Sequence, residues 1–171
     1  DSSESAYFAG TNRNKRSITL NLSDPRGQEV ARKLIAKSDV LAENFKTGTL
    51  AKYKLDYRTL ASDFPSLIYC SITGFGHTGP YAKRPAYDAL IQAMGGVMSL
   101  TGDPKGEPMK VGVSIADLMS GMYAAVAVLA AIRHQQATGR GQHLDISMLD
   151  AHVAWLANQG MNYLATGANP E

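Results

Sequence analysis

Asp117 stands in Ile115-Ala116-Asp117-Leu118-Met119-Ser120-Gly121, a lone carboxylate between two apolar runs where a long helix is expected to begin. Two roles suit it. As an N-cap, its oxygens would accept from first-turn N–H groups that no carbonyl reaches. As a nucleophile, it would be kept ionised by the helix N-terminus, which favours negative charge by about 0.3–1 kcal/mol. It could then attack an acyl carbonyl in a partly closed site. The roles are compatible. A second feature is the basic run Arg13, Lys15 and Arg16. It is either a solvated charge run or an anchor for phosphates, whose oxygens suit guanidinium forks and ammonium point charges.

Other motifs carry less chemistry. Gly74-Phe75-Gly76-His77-Thr78-Gly79 matches the glycine spacing of a dinucleotide site and follows a strand-like stretch. Such a site needs the glycines to open a helix whose N-terminus meets the pyrophosphate. Pro80 and Pro85 interrupt any helix here, so a loop near a ligand is the better expectation, without nicotinamide or flavin. His77, His134, His143 and His152 are scattered, and none stands at a spacing that suggests a catalytic pair with Ser or Cys. His134 reads as a surface residue at a helix C-terminus, and His143 and His152 as structural or surface residues. Cys70 is a single cysteine, so no internal disulfide can form, and no Cys/His spacing suggests a metal.

The elements that must position these residues alternate between strand and helix. Ser17 to Leu22 alternates apolar and polar residues, as a half-buried strand does. Asp24-Pro25 starts a helix with Val30, Leu34 and Ile35 on its apolar face. Asp39 to Asn44 reads as a strand, Lys46-Thr47-Gly48 as a turn, and helical stretches follow from Thr49 and Tyr57 to a stop at Pro65. Ser66 to Thr73 is the strongest strand. Residues 74–85 form a loop, Tyr87 to Met98 a helix, and residues 102–112 another loop. A long helix covers about Leu118 to Ala137, with Gly139 as C-cap. His143 to Met148 is a strand, and about Asp150 to Ala165 a last helix. This alternation predicts an α/β fold with a largely parallel sheet.

The 171 residues suit one domain, and 44% hydrophobic with 19% charged residues is ordinary for a globular protein. A formal charge of +2 gives no nucleic-acid footprint. The polar start shows no signal-peptide pattern. Leu118 to Ile132, short for a membrane span and holding Ser120 and Gly121, is expected to be a buried core helix. These readings suit a reducing, cytoplasmic compartment. The chain starts without Met and ends on Asn169-Pro170-Glu171, which reads as a piece of a longer protein.

Six segments in order resemble the class III CoA-transferases, the family of formyl-CoA and carnitine CoA-transferases. They are NRNKRSITLNL (12–22), DVLAENF (39–45), LIYCSITGFGHTGPY (67–81), YDALIQAMGG (87–96), VGVSIADLMSGMYA (111–124) and TGRGQHLDISMLDA (138–151). The resemblance runs from about Tyr7 to Ala165. It implies a Rossmann-like CoA-binding domain, incomplete over residues 1–171, with an N-terminal strand and a smaller C-terminal domain absent. It implies coenzyme A or acyl-CoA as substrate, a carboxylic acid acceptor, no metal, no membrane, and an interlocked homodimer.

By position, the resemblance makes Asp117 the acyl-carrying aspartate. It puts Lys15 near the CoA phosphates, flanked by Arg13 and Arg16. Asn44 and Phe45 would line the CoA site. Lys52 stands where some members have an arginine that contacts CoA. Tyr87 and Asp88 would lie beside the thioester. The implied reaction passes through an aspartyl anhydride and an aspartyl-CoA thioester. Oxyanion donors are expected at the helix N-terminus or the loop 74–79. The racemase branch of the family uses a histidine where this chain has Tyr87, and tyrosine, with a reference pKa of about 10, is a poor base at neutral pH. Transfer is therefore favoured over an α-methylacyl-CoA racemase-like isomerisation, and a non-catalytic CoA-binding module is the remaining alternative. The motifs resemble members that handle dicarboxylic donors such as succinyl-CoA, although members with other substrates share them.

Overall fold

The computed structural model describes residues 5–170, so residues 1–4 of the polar start and Glu171 lie outside the described residues. Three strands, β1 (Val40–Glu43), β2 (Ile68–Thr73) and β3 (His143–Ser147), form one sheet in the order β1-β2-β3. Both pairings are parallel, with Val40 opposite Ile68 and Tyr69 opposite His143. The expected α/β architecture with a parallel sheet is present. The central strand β2 is buried along nearly its whole length, as strands covered on both faces are.

Helices cover both faces. On one side, α2 (Pro25–Ile35) and α3 (Tyr57–Asp63) place Ile35 and Leu60 against Leu50, Leu55, Leu67 and Tyr69. On the other, α4 (Asp88–Met94), α5 (Ile115–Thr138) and α6 (Met148–Ala154) bring Ile91, Ala116 and Met148 onto Ile72 and Phe75. Asp24 caps α2 by accepting from the Arg26 N–H, and Asp56 caps α3 by accepting from the Thr59 N–H. Both are the caps that a short acidic side chain before a helix predicts. Arg32 on α2 and Asp63 on α3 form an ion pair that ties the two helices.

Several expectations need correction. Ser17 to Leu22 forms no strand: residues 15–21 run without regular structure, and Ile18 is largely exposed. Its alternation lacks a neighbouring strand to hydrogen-bond, and alternation alone cannot supply one. A short helix, α1 (Ala6–Thr11), precedes it with no buried residue. Of the apolar face expected on α2, Ile35 is buried while Val30 and Leu34 remain exposed. The helix expected over Tyr87 to Met98 breaks at Gly95-Gly96, where Gly96 takes φ 90°, and resumes as a 3₁₀ turn at Val97–Leu100. The last helix is two. α6 ends at Ala154 and α7 (Ala157–Thr166) follows, with its first residue, Ala157, at φ 45°.

The long helix α5 begins three residues earlier than expected, and it is not a buried core helix. It meets the sheet through small residues, burying Ala116, Ser120, Ala124 and Ala131. Leu118, Met122, Val126 and Leu129 form an exposed apolar stripe at helical spacing. By length and composition alone the helix could cross a membrane, but it packs on β2 and β3 between α4 and α6, as a layer of the α/β fold.

Candidate functional site

The carboxyl ends of all three strands open into one cleft, the place where parallel α/β sheets bind ligands. The cleft holds about 560 Å³. Asn44 and Phe45 follow β1, Thr73 and Gly74 end β2, and Met148 follows β3. Asp117, Ser120 and Gly121 come from the first two turns of α5, and Arg84 and Tyr87 from the loop and cap before α4. Asn44 donates its side-chain amide to the Ile72 carbonyl at 2.7 Å, which joins the ends of β1 and β2 and holds the cleft wall.

Four of the expected site residues therefore meet: Asn44, Phe45, Tyr87 and Asp117. Tyr87 is 82% exposed, so its ring projects from the wall. Asp88 does not line the cleft; it lies behind it. Arg13, Lys15, Arg16 and Lys52 do not line it either. They are exposed, and among the described residues none makes an ion pair. Lys46, Thr47, Arg84 and Ser120 also line the cleft, and the sequence assigned none of them to a site. Only the fold brings them there. Lys46 and Arg84 also lack an ion-pair partner among the described residues, so they give the cleft that Asp117 lines positive charge.

Asp117 is not the N-cap of α5. Ser114 holds that position, and its side chain makes no capping bond. Capping comes from Asp88, whose Oδ1 accepts from the N–H of Ala116 at 2.8 Å and of Asp117 at 3.4 Å. The remaining first-turn N–H groups also have acceptors, Ile115 on Val113 and Leu118 on Ser114. The Asp117 carboxyl itself makes no hydrogen bond among the described residues, so it is left for chemistry. Burial first, and then the negative charge of Asp88, push it above the ordinary aspartate range. That direction is opposite to the one expected from the helix N-terminus alone. Perturbed carboxyls of this kind gather at functional sites.

Several of the expected oxyanion donors are engaged by the protein's own acceptors. The N–H groups at the head of α5 are engaged. In the loop, Gly76 N–H donates to Thr73 Oγ1 and His77 N–H to Asp145 Oδ2, both at 2.9 Å. The loop runs as bends and turns, and the next helix starts only at Asp88, so its glycines open no helix.

The histidines are less peripheral than expected. His143 Nε2 lies 2.9 Å from Ser71 Oγ across β2 and β3, and its ring stacks on Tyr57. The two residues are far apart in sequence, so only strand pairing reveals the contact. No carboxylate hydrogen-bonds His143 among the described residues, so the pair has no orienting third member. The pair lies in a second cleft of about 630 Å³ that shares Lys46 and Thr47 with the first. His152 is fully buried, and burial lowers its pKa below the ordinary value. His134 is exposed, as expected.

Comparison with known proteins gives the family and the fold. Residues 1–171 match CoA-transferase family III. The chain is 52% identical over 165 residues to a succinate–glutarate CoA-transferase of Agrobacterium fabrum, covering 96% of this chain and 41% of that protein. It is 43% identical over 168 residues to an acetyl-CoA:oxalate CoA-transferase of Acetobacter aceti, covering 98% and 43%. A crystal structure of a CAIB/BAIF family protein from Brucella suis superposes with a TM-score of 0.94 at 53% identity, covering 97% of this chain and 44% of that one. The chain thus spans about two fifths of the length of these relatives. With a family match over every residue and a cleft that gathers Asn44, Phe45, Tyr87 and Asp117, the chain belongs to CoA-transferase family III.

Proposed function

We propose that the full-length protein transfers CoA from a dicarboxylic acyl-CoA to a free dicarboxylate, with Asp117 as the nucleophile. One observation carries this: the Asp117 carboxyl lines the cleft with its capping role taken by Asp88 and no hydrogen bond of its own among the described residues. Succinate, glutarate and oxalate in the relatives' names are dicarboxylates, while the acetyl-CoA donor of the second is monocarboxylic. Lys46 and Arg84, cationic and unpaired among the described residues, suit the carboxylate ends of such acids.

The steps follow from that nucleophile. An Asp117 oxygen attacks the donor thioester carbon, the C–S bond breaks, and CoA leaves as the thiolate. The thiolate attacks the Asp117 carbon of the resulting anhydride, and the donor acid departs as its carboxylate. The acceptor carboxylate then attacks the aspartyl-CoA thioester and frees the thiolate again. Finally the thiolate attacks the acceptor's acyl carbon, which restores the Asp117 carboxylate. No proton or electron is left over. Dividing one exchange into four acyl transfers is what covalent catalysis supplies. The exposed stripe Leu118, Met122, Val126 and Leu129 supports the interlocked homodimer, since a partner would take it out of water.

The test is to incubate the full-length enzyme with succinyl-CoA and trap with hydroxylamine, which expels CoA or succinate from an activated carboxyl and leaves a hydroxamate there. A hydroxamate on the Asp117 peptide by mass spectrometry is the expected result, and a hydroxamate elsewhere or nowhere overturns the reading. A second expectation concerns pH. Attack needs ionised Asp117, so kcat/KM falls as pH drops through its pKa. Asp88→Asn removes a charge that raises that pKa. The acid limb of kcat/KM, which reports the free enzyme, should move to lower pH. A limb that stays put or moves upward would count against Asp117 as the titrating group.

A further inference from the structure

We propose that Gln92 is a positioning residue for Asp117, acting through Asp88 and through the segment that leads into α5; the inference rests on the reading of Asp117 as nucleophile. Gln92 sits one turn after Asp88 on α4 and is fully buried. Its Nε2 donates to Asp88 Oδ2 at 2.6 Å and to the Val113 carbonyl at 3.4 Å. Its Oε1 accepts from the Val111 N–H at 2.8 Å. Asp88 Oδ1 then accepts from Ala116 and Asp117. One side-chain amide thus grips both Val111 and Val113, on either side of Gly112, while the carboxylate it steadies grips the helix head.

The partners dictate the chemistry of this cluster. A backbone N–H can only donate, so the Gln92 oxygen must face Val111 and its NH₂ must face Asp88. Asp88 therefore meets donors on both oxygens. Asp88 in turn is a fixed negative charge beside Asp117. The titratable groups that face Asp88 are Asp117 from α5 and His152 from α6, while the Val97–Leu100 turn brings none. His152 is kept toward its neutral form by burial. Loss of the Gln92 amide would strand the Val111 N–H and Asp88 Oδ2 in a partly dry interior. The α5 head, with Asp117 in its first turn, would lose the register that aims it into the cleft.

Two variants of the full-length enzyme test this. Gln92→Leu keeps the volume and removes both polar functions. It should lower kcat by about 10²-fold, the cost of a small misplacement of a reacting group, with the KM for succinyl-CoA nearly unchanged. Gln92→Glu keeps an acceptor for Val111. Its introduced carboxyl can donate to Asp88 only while protonated. The ratio of its kcat to that of the wild type, per mole of folded enzyme, should rise as pH falls and decline as pH rises. A role in stability alone would lower the thermal midpoint and leave that ratio flat.

A flat ratio, or a folded Gln92→Leu enzyme with wild-type kcat, overturns the proposal. If Gln92→Leu does not fold, the Gln92→Glu ratio decides alone. Hydroxylamine trapping of the wild type in parallel separates the two levels. A wild-type hydroxamate on Asp117 with a flat ratio sinks only the role of Gln92. Absence of that hydroxamate overturns both.

Discussion

Asp117→Asn in the full-length enzyme is expected to lower kcat for CoA transfer by on the order of 10⁴-fold or more, the scale seen when a covalent nucleophile is removed. The substitution is nearly isosteric, and an amide oxygen does not attack a thioester at a useful rate. Binding of the acyl-CoA should survive, because Asn44, Phe45, Arg84 and Tyr87 still line the cleft. The folded protein should not suffer. Burial and Asp88 raise the Asp117 pKa, so the folded state holds this proton more tightly than the unfolded chain does. The stabilisation linked to the protonated carboxyl is fully present below the ordinary aspartate range and is lost as pH rises through the raised value. At neutral pH the ionised group is therefore a net cost to the fold, and Asp117→Asn should melt at the wild-type temperature or slightly above. A variant that is inactive and also markedly less stable would instead give Asp117 a structural role. Retained transfer activity in a folded variant would remove it from the mechanism.

Gly141→Ala is expected to destabilise the fold by about 3 kcal/mol, the upper part of the usual range for overpacking. A Cβ at this position would stand 2.0 Å from the Leu67 carbonyl oxygen and 2.6 Å from the Ser66 carbonyl carbon. Both are backbone atoms, so no side-chain rotation relieves the clash. The approach is close because the Gly141 N–H donates to the Pro65 carbonyl and the Tyr69 N–H to the Gln142 carbonyl, which zips the start of β3 onto the start of β2. Pushing these apart would loosen the parallel pair whose far ends, Thr73 and Met148, line the cleft. The denaturant midpoint should fall with the slope unchanged. An unaltered midpoint would show that the amino ends of β2 and β3 part easily.

Much of the scaffold was legible because local physics and tertiary packing agree there. The β1, β2 and β3 strands stand within two residues of the expected stretches, and Asp24-Pro25 opens its helix as a cap and a first-turn proline should. Where they disagree, the sequence misleads. Ser17 to Leu22 alternates like a strand but finds no partner strand. Asp117 looks like a cap because it follows an apolar run, yet the cap comes from Asp88, 29 residues earlier.

The candidate site divides in the same way. Asp117 stood out beside an expected helix start, and Asn44, Phe45 and Tyr87 were named because the ordered motifs resemble the family. Arg84, Lys46 and Gln92 could not, because an exposed cation in a loop and a glutamine in a helix look like any others. The Ser71–His143 contact was hidden for the same reason.

By itself, then, the amino-acid order determined the parallel α/β scaffold, since propensity, capping and hydrophobic period act over a few neighbouring residues, and the ordered motifs carried the family resemblance that singles out Asp117. Only the tertiary structure decided what that carboxylate is free to do. Its basicity, its missing hydrogen bonds and the charges across the cleft depend on groups brought from α4 and from three strand ends, and distances between residues far apart in the chain exist only once it is folded.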